Sequence, residues 1–284
     1  MTPLLAAATA QLAAAGVGSP RVDAELLLAH VLGVPRSRLL TIDAVDEPSA
    51  ARFAELVARR AAREPLQHLT GHVPFRHLEL AVGPGVFVPR PETELLVDAV
   101  LAATGPAPVV VDLCSGSGAI ALAIAQERPG ATVYAVEVSP DALPWLRRNA
   151  DGTGVTVLAA DVRRPIDALP AGVADAVVSN PPYVPDGTPV DPEVRADPAA
   201  AVFGGPDGLA LMPAILDRAA ELLADGGVLA VEHDDTHGTS LPALLESDGR
   251  FSAIADHPDL TGRPRYATAR RVTARRAATT HTGD

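Results

Sequence analysis

Val109-Val110-Val111-Asp112-Leu113-Cys114-Ser115-Gly116-Ser117-Gly118, running on into Ala119-Ile120-Ala121-Leu122, decides how the chain folds. The β-branched apolar start reads as a strand buried on both faces, and the glycine-serine turn passes it into a helix. Downstream the alternation repeats. Strands are expected at Thr132 to Glu137, Val155 to Ala159, a run ending at Ser179, Val228 to Glu232, Phe251 to Asp256 and Tyr266 to Arg271. Helices are expected between them from Ala119 to Arg128, Asp141 to Ala150, Leu209 to Ala224 and Leu241 to Glu246. This pattern predicts an α/β fold: a doubly wound, mostly parallel seven-stranded sheet with helices on both faces. Ligands in such sheets sit at the carboxyl ends of the strands.

Two readings of the glycine turn compete. A dinucleotide site wants Gly-x-Gly-x-x-Gly with pyrophosphate on the helix N-terminus, but Ala121 stands where the third glycine belongs. Asp112, just before the turn, is also poor company for phosphate and suits a cationic ligand. S-adenosylmethionine, with its ammonium and sulfonium, is such a ligand. Cys114, Ser115, Gly116, Ser117 and Gly118 then bring backbone close to it. Glu137 closes the second strand and can accept both ribose hydroxyls, while Asp161 can accept the adenine amino group with Val162 against the ring. Three acids closing three successive strands are far more specific than any one alone.

The second half of the site is Asn180-Pro181-Pro182-Tyr183, directly after the strand Ala174 to Ser179. A carboxamide fixed there by two prolines, beside an aromatic face, can hold a planar NH2 in front of an electrophile. Asn180, Pro181 and Tyr183 are therefore the catalytic candidates, with Pro182 in the acceptor set and Asn180 also near the cofactor. A plain strand-terminating turn is the bland alternative. Cys114 has no base beside it in sequence and reads as a small buried side chain. Glu92 and Glu94 either shape the pocket entrance or simply suit the start of a helix.

Upstream, residues 1–71 read as a small helical bundle: Pro3 to Ala15 stopped by Gly16, a second helix from Ser19-Pro20 to Gly33, and a third opened by Pro48. In that third helix Arg52, Arg59, Arg60 and Arg63 are expected to face mostly outward. Residues 72–88 are expected to form a β-hairpin linker, 89–272 the catalytic domain and 273–284 a disordered tail. The 284 residues carry a net charge of −12, which weighs against a broad nucleic-acid surface. One cysteine fits a reducing cytoplasm, and no long apolar run suggests a membrane span. All 23 basic residues are arginine, a mark of coding bias. The arginines at 263, 265, 270, 271, 275 and 276 read as a solvated strand and tail, and the eight histidines show no metal spacing.

These blocks together resemble the release-factor glutamine methyltransferase family of the PrmC/HemK type, along nearly the whole chain. The likeness is strongest in Pro65 to Gly71, Val88-Pro89-Arg90-Pro91-Glu92-Thr93-Glu94, the glycine turn, Ser179 to Tyr183, Pro192 to Arg195 and Gly204 to Leu209. It implies a Rossmann-like methyltransferase fold, S-adenosylmethionine as donor and an N-terminal domain that helps hold the protein substrate. It also implies peptide-chain release factors as partners, methylated on the glutamine of their Gly-Gly-Gln loop. A monomer without stable nucleic-acid binding is expected. Two positions depart from the pattern: Cys114 replaces a glycine, and Val162 replaces a larger ring in some relatives. The rival readings are a ribosomal-protein glutamine methyltransferase, a nucleic-acid exocyclic-amine methyltransferase and a non-catalytic translation-factor binding module.

Overall fold

The computed structural model describes residues 2–272, so the tail 273–284 lies outside the described residues. The chain divides into two compact units.

One unit contains the chain up to Val73 together with Ala81–Val88 and Pro189–Pro198. Its helices are α1 (Thr2–Ala14), α2 (Pro20–Leu32), α3 (Glu47–Ala61) and the short α4 (Leu66–Thr70). Leu5, Leu12, Leu27, Leu28, Phe53 and Leu56 make one apolar cluster among them. Asp46 caps α3 by accepting the Ser49 N–H at 2.8 Å, and Gly33 closes α2 at φ +62°. Arg60 departs from the outward-facing pattern expected of its helix. It is only 6% exposed, with Nε 2.8 Å from Asp23 and Nη2 2.7 Å from Glu193. Two carboxylates make that burial tolerable, which helical spacing alone does not reveal.

β1 (His72–Phe75) and β2 (Leu78–Ala81) pair as a two-stranded sheet whose tip, Pro74–Leu80, belongs to the second unit. Arg76 at that tip has φ +51° and donates its N–H to Glu94 Oε1 at 2.9 Å. Its guanidinium pairs with Glu127 and Asp98, each at 2.8 Å. Glu94 is thus engaged by the hairpin, while Glu92 is exposed.

The second unit continues through α5 (Glu94–Ala103), β3 (Val109–Leu113), α6 (Ala119–Glu127), β4 (Thr132–Glu137), α7 (Leu143–Ala150), β5 (Thr156–Ala159) and β6 (Ala174–Ser179). Then come α8 (Ala199–Val202), α9 (Met212–Leu222), β7 (Leu223–Glu232), α10 (Ser240–Asp248), β8 (Phe251–Pro258) and β9 (Pro264–Arg271). The seven strands lie in the order β5-β4-β3-β6-β7-β9-β8, with β9 antiparallel to both neighbours. The core is aliphatic, with Val111, Leu113, Val136, Val177, Leu229 and Val231 on the strands against Ile215, Leu216 and Leu245 on helices. The chain winds outward from β3 through β4 to β5 and then crosses to β6 on the other side. The switch point between β3 and β6 is where such sheets open a crevice. Leu113 pairs with both Val136 and Ser179, and Ser179 with Val231. That register brings the ends of β4, β3, β6 and β7 to one edge.

Among the described residues no helix is long and apolar enough to cross a membrane, and no group of ligating side chains could hold a metal ion. On β9, Arg270 and Arg271 spend their guanidinium donors on the carbonyls of Gly226 and Ala220, each at 2.8 Å.

Candidate active site at the carboxyl edge of the sheet

The glycine turn is a left-handed loop: Cys114, Gly116 and Gly118 have φ of +60°, +54° and +90°. At φ +90° Gly118 holds a conformation that disfavours any side chain, and a Cβ there would also press on the Leu146 side chain of α7 at 2.7 Å. Gly116 has open space where its Cβ would be, which leaves room for a ligand. Cys114 holds a conformation that costs a non-glycine residue about 1–2 kcal/mol, the physical content of its departure from the glycine pattern. Burial pushes its thiol pKa upward, so it is an inert group. Ser115 donates to the Asp112 carbonyl at 2.9 Å, and Asn149 on α7 donates to the Ser117 carbonyl at 3.0 Å.

Asp112 is 1% exposed. One oxygen accepts the Ala121 N–H at 3.3 Å, and the other has no partner. Burial raises its pKa to about 7, against the pull of Ser115 and Ala121. Ser117 Oγ is likewise buried and unpartnered. Glu137 reaches the turn, accepting the Gly116 N–H at 2.8 Å through one oxygen and the Val138 and Ser139 N–H groups through the other. Asp161 follows β5 and accepts the Arg163 N–H at 2.9 Å. Val162 is 5% exposed and sits in the core with Leu113 and Val136. The turn, Asp112 and Glu137 are therefore one constellation, with Asp161 on the strand beyond.

On the other side of the switch point, Ser179 Oγ donates to the Leu113 carbonyl at 2.7 Å and locks the end of β6 to β3. Asn180 comes next and is half-buried. Its Nδ2 donates to Thr93 Oγ1 at 3.0 Å, so its oxygen is the end left for a ligand. The Tyr183 hydroxyl donates to Glu232 Oε1 at 2.8 Å. The backbone between them is braced by two glycines of a neighbouring loop, where a side chain has no room. A Cβ on Gly204 would lie 2.6 Å from the Pro182 carbonyl oxygen, and one on Gly208 2.1 Å from that of Tyr183. Val184 and Phe203 form a bridge just beyond, with the Val184 N–H on the Val202 carbonyl and the Gly204 N–H on the Val184 carbonyl.

Thr93, Glu232, Gly204 and Gly208 are residues of the site to which sequence reading gives no role there, although Thr93 and the two glycines lie in the blocks that carry the resemblance. Glu232 carried a usable signal, since it closes its strand as Asp112, Asp161 and Glu137 flank theirs. Thr93 lies in a block that carries the resemblance, but only the tertiary fold brings it to Asn180.

A doubly wound sheet with a glycine turn, a buried acid with an unsatisfied oxygen and a second acid on the turn defines an S-adenosylmethionine-dependent methyltransferase. The orphaned oxygens of Asp112 and Ser117 fit a cationic, hydroxyl-bearing donor. Residues 78–195 match the methyltransferase small domain family and residues 3–71 the PrmC N-terminal domain. In fold the chain is similar to a methyltransferase from Pyrococcus furiosus, with a TM-score of 0.52 at 19% identity over 79% of this chain and all of that one. Release factor glutamine methyltransferases are similar in sequence. That of Mycolicibacterium smegmatis is 56% identical over 94% of this chain and 96% of its own. That of Streptomyces coelicolor is 52% identical over 94% and 97%. The chain belongs to the release factor glutamine methyltransferase family.

Proposed function

We propose that this chain methylates the side-chain amide nitrogen of the glutamine in the Gly-Gly-Gln loop of peptide-chain release factors, with S-adenosylmethionine as donor, in the cytoplasm. The names of its relatives support the substrate. The observation that carries the chemistry is the Asn180 carboxamide, turned by Thr93 so that its oxygen is free beside the glycine turn.

A carboxamide nitrogen is a weak nucleophile because its lone pair is delocalised. Bound in the turn, the donor supplies an electrophilic methyl on a sulfonium. With the donor bound there, Asp112 would face the ammonium, Glu137 the ribose hydroxyls and Asp161 with Val162 the adenine. Asn180 Oδ1 and the Pro181 carbonyl accept the two N–H bonds of the substrate amide and fix its nitrogen in line. Positive charge grows on that nitrogen during transfer, so both acceptors tighten as the barrier is crossed. Tyr183 covers the amide plane and excludes water. No base is needed beforehand, since the nitrogen proton becomes acidic only after transfer. The helical unit holds the body of the protein substrate.

Mass spectrometry of a purified release factor incubated with this protein and S-adenosylmethionine tests the reading. A single methyl on the loop glutamine is expected. An unmodified glutamine, or a methyl elsewhere, overturns it.

A further inference from the structure

Asn180 can serve as an acceptor only if its amide group is held the right way round, and its two ends are nearly alike in shape. Thr93 Oγ1, 3% exposed, accepts from Asn180 Nδ2 at 3.0 Å. A hydroxyl that accepts there must send its own proton elsewhere. Beside it stands Glu232, 1% exposed, whose charged form Thr93 stabilises. Glu232 Oε1 already takes the Tyr183 hydroxyl, and Oε2 is buried without a partner. We propose that Glu232 is a positioning residue: as a carboxylate, it holds the Tyr183 hydroxyl on Oε1 and draws the Thr93 hydroxyl proton towards its unpaired Oε2, and so sets the direction of the hydrogen-bond chain that points the Asn180 oxygen at the substrate.

A carboxylate can only accept, which forces both neighbouring hydroxyls to point towards it. A neutral acid can donate to Thr93 instead. Thr93 is then free to donate to Asn180 Oδ1, and the amide presents its NH2 to a substrate that is itself a donor. Burial raises the Glu232 pKa to about 7, with Thr93, Tyr183 and Arg265 lowering it and Glu92 raising it. The switch therefore lies near neutrality. The inference rests on the proposed role of Asn180.

Its test has one arm without substrate. In protein labelled at asparagine, the Asn180 side-chain amide resonance is expected to titrate with a midpoint near pH 7. In Glu232→Gln that titration is expected to vanish. The second arm is kinetic: Glu232→Gln and Thr93→Val are each expected to lower kcat about tenfold with cofactor affinity unchanged, while Thr93→Ser restores most of it. A purely structural role for Glu232 predicts a lower melting temperature in Glu232→Gln, whereas loss of a buried charge raises it at alkaline pH. An Asn180 resonance that ignores pH, or wild-type kcat in Glu232→Gln, overturns the proposal. Absence of release-factor methylation by the wild type, with the titration intact, instead counts against the proposed function alone.

Discussion

Asp112→Asn separates what the site needs from what the fold prefers. Asp112 has its pKa raised from 3.8 to about 7, chiefly by burial. At 1.36 kcal/mol per unit, keeping it ionised costs the ligand-free fold about 4 kcal/mol above neutrality. The sign follows from the direction of the shift. The native state holds its proton more tightly than the unfolded chain, so stability is full below pH 3.8 and is lost as pH rises through about 7. Asparagine removes this charge cost but buries an amide donor opposite the orphaned position, at about 1–3 kcal/mol. The ligand-free variant is therefore expected to be more stable than wild type by about 1–3 kcal/mol near pH 8.5. The amide cost does not vary with pH. The gap should thus shrink by about 1.4 kcal/mol on going down to about pH 6, roughly 4 °C in melting temperature. Thermal melts at both pH values, with and without S-adenosylmethionine, measure this. Wild type alone should gain strongly from the cofactor. A variant that melts below wild type at the higher pH, or a gap that does not change with pH, refutes the reasoning.

Asn180→Ala should abolish most methylation while cofactor affinity by calorimetry stays near wild type; retained kcat would remove the acceptor role. Gly208→Ala forces a Cβ into the Tyr183 carbonyl and should both lower the melting temperature and cut kcat well beyond tenfold, measured side by side. Cys114→Gly relieves left-handed strain, offset by the entropy of glycine in the unfolded chain. Its stability should therefore stay within about 1 kcal/mol of wild type by denaturant titration, with activity intact. Arg60→Ala strands buried Asp23 without its partner and should cost about 3–5 kcal/mol, read as early unfolding by hydrogen exchange across α2 and α3.

Periodicity carried the fold because the central strands are apolar runs buried on both faces, as Val109 to Leu113 is. Helix ends were less legible. α9 stops at Leu222 because Leu223 already pairs with Ala174, a tertiary event that no local signal announces. The five-residue α4 and the 3-10 turn Arg36–Thr41 fall below the length at which a period can be read. The positions of the strand-end acids and of Asn180 were readable because topology alone places them. Those that act through a partner far away in sequence, such as Thr93 on Asn180 or Gly208 under Tyr183, needed the folded chain. Spacing also misjudged Arg60, whose helical face is set by two carboxylates on other segments.

The pairing of Val184 with Phe203 closes the polypeptide between them into a clasped excursion, of which Pro189–Pro198 is counted with the helical unit. Because the cost of closing such a loop grows only slowly with its length, insertions in that stretch away from Glu193, which pairs with Arg60, leave the clasp fastened. Variation in the length of the excursion is thereby uncoupled from the backbone of Asn180 to Tyr183.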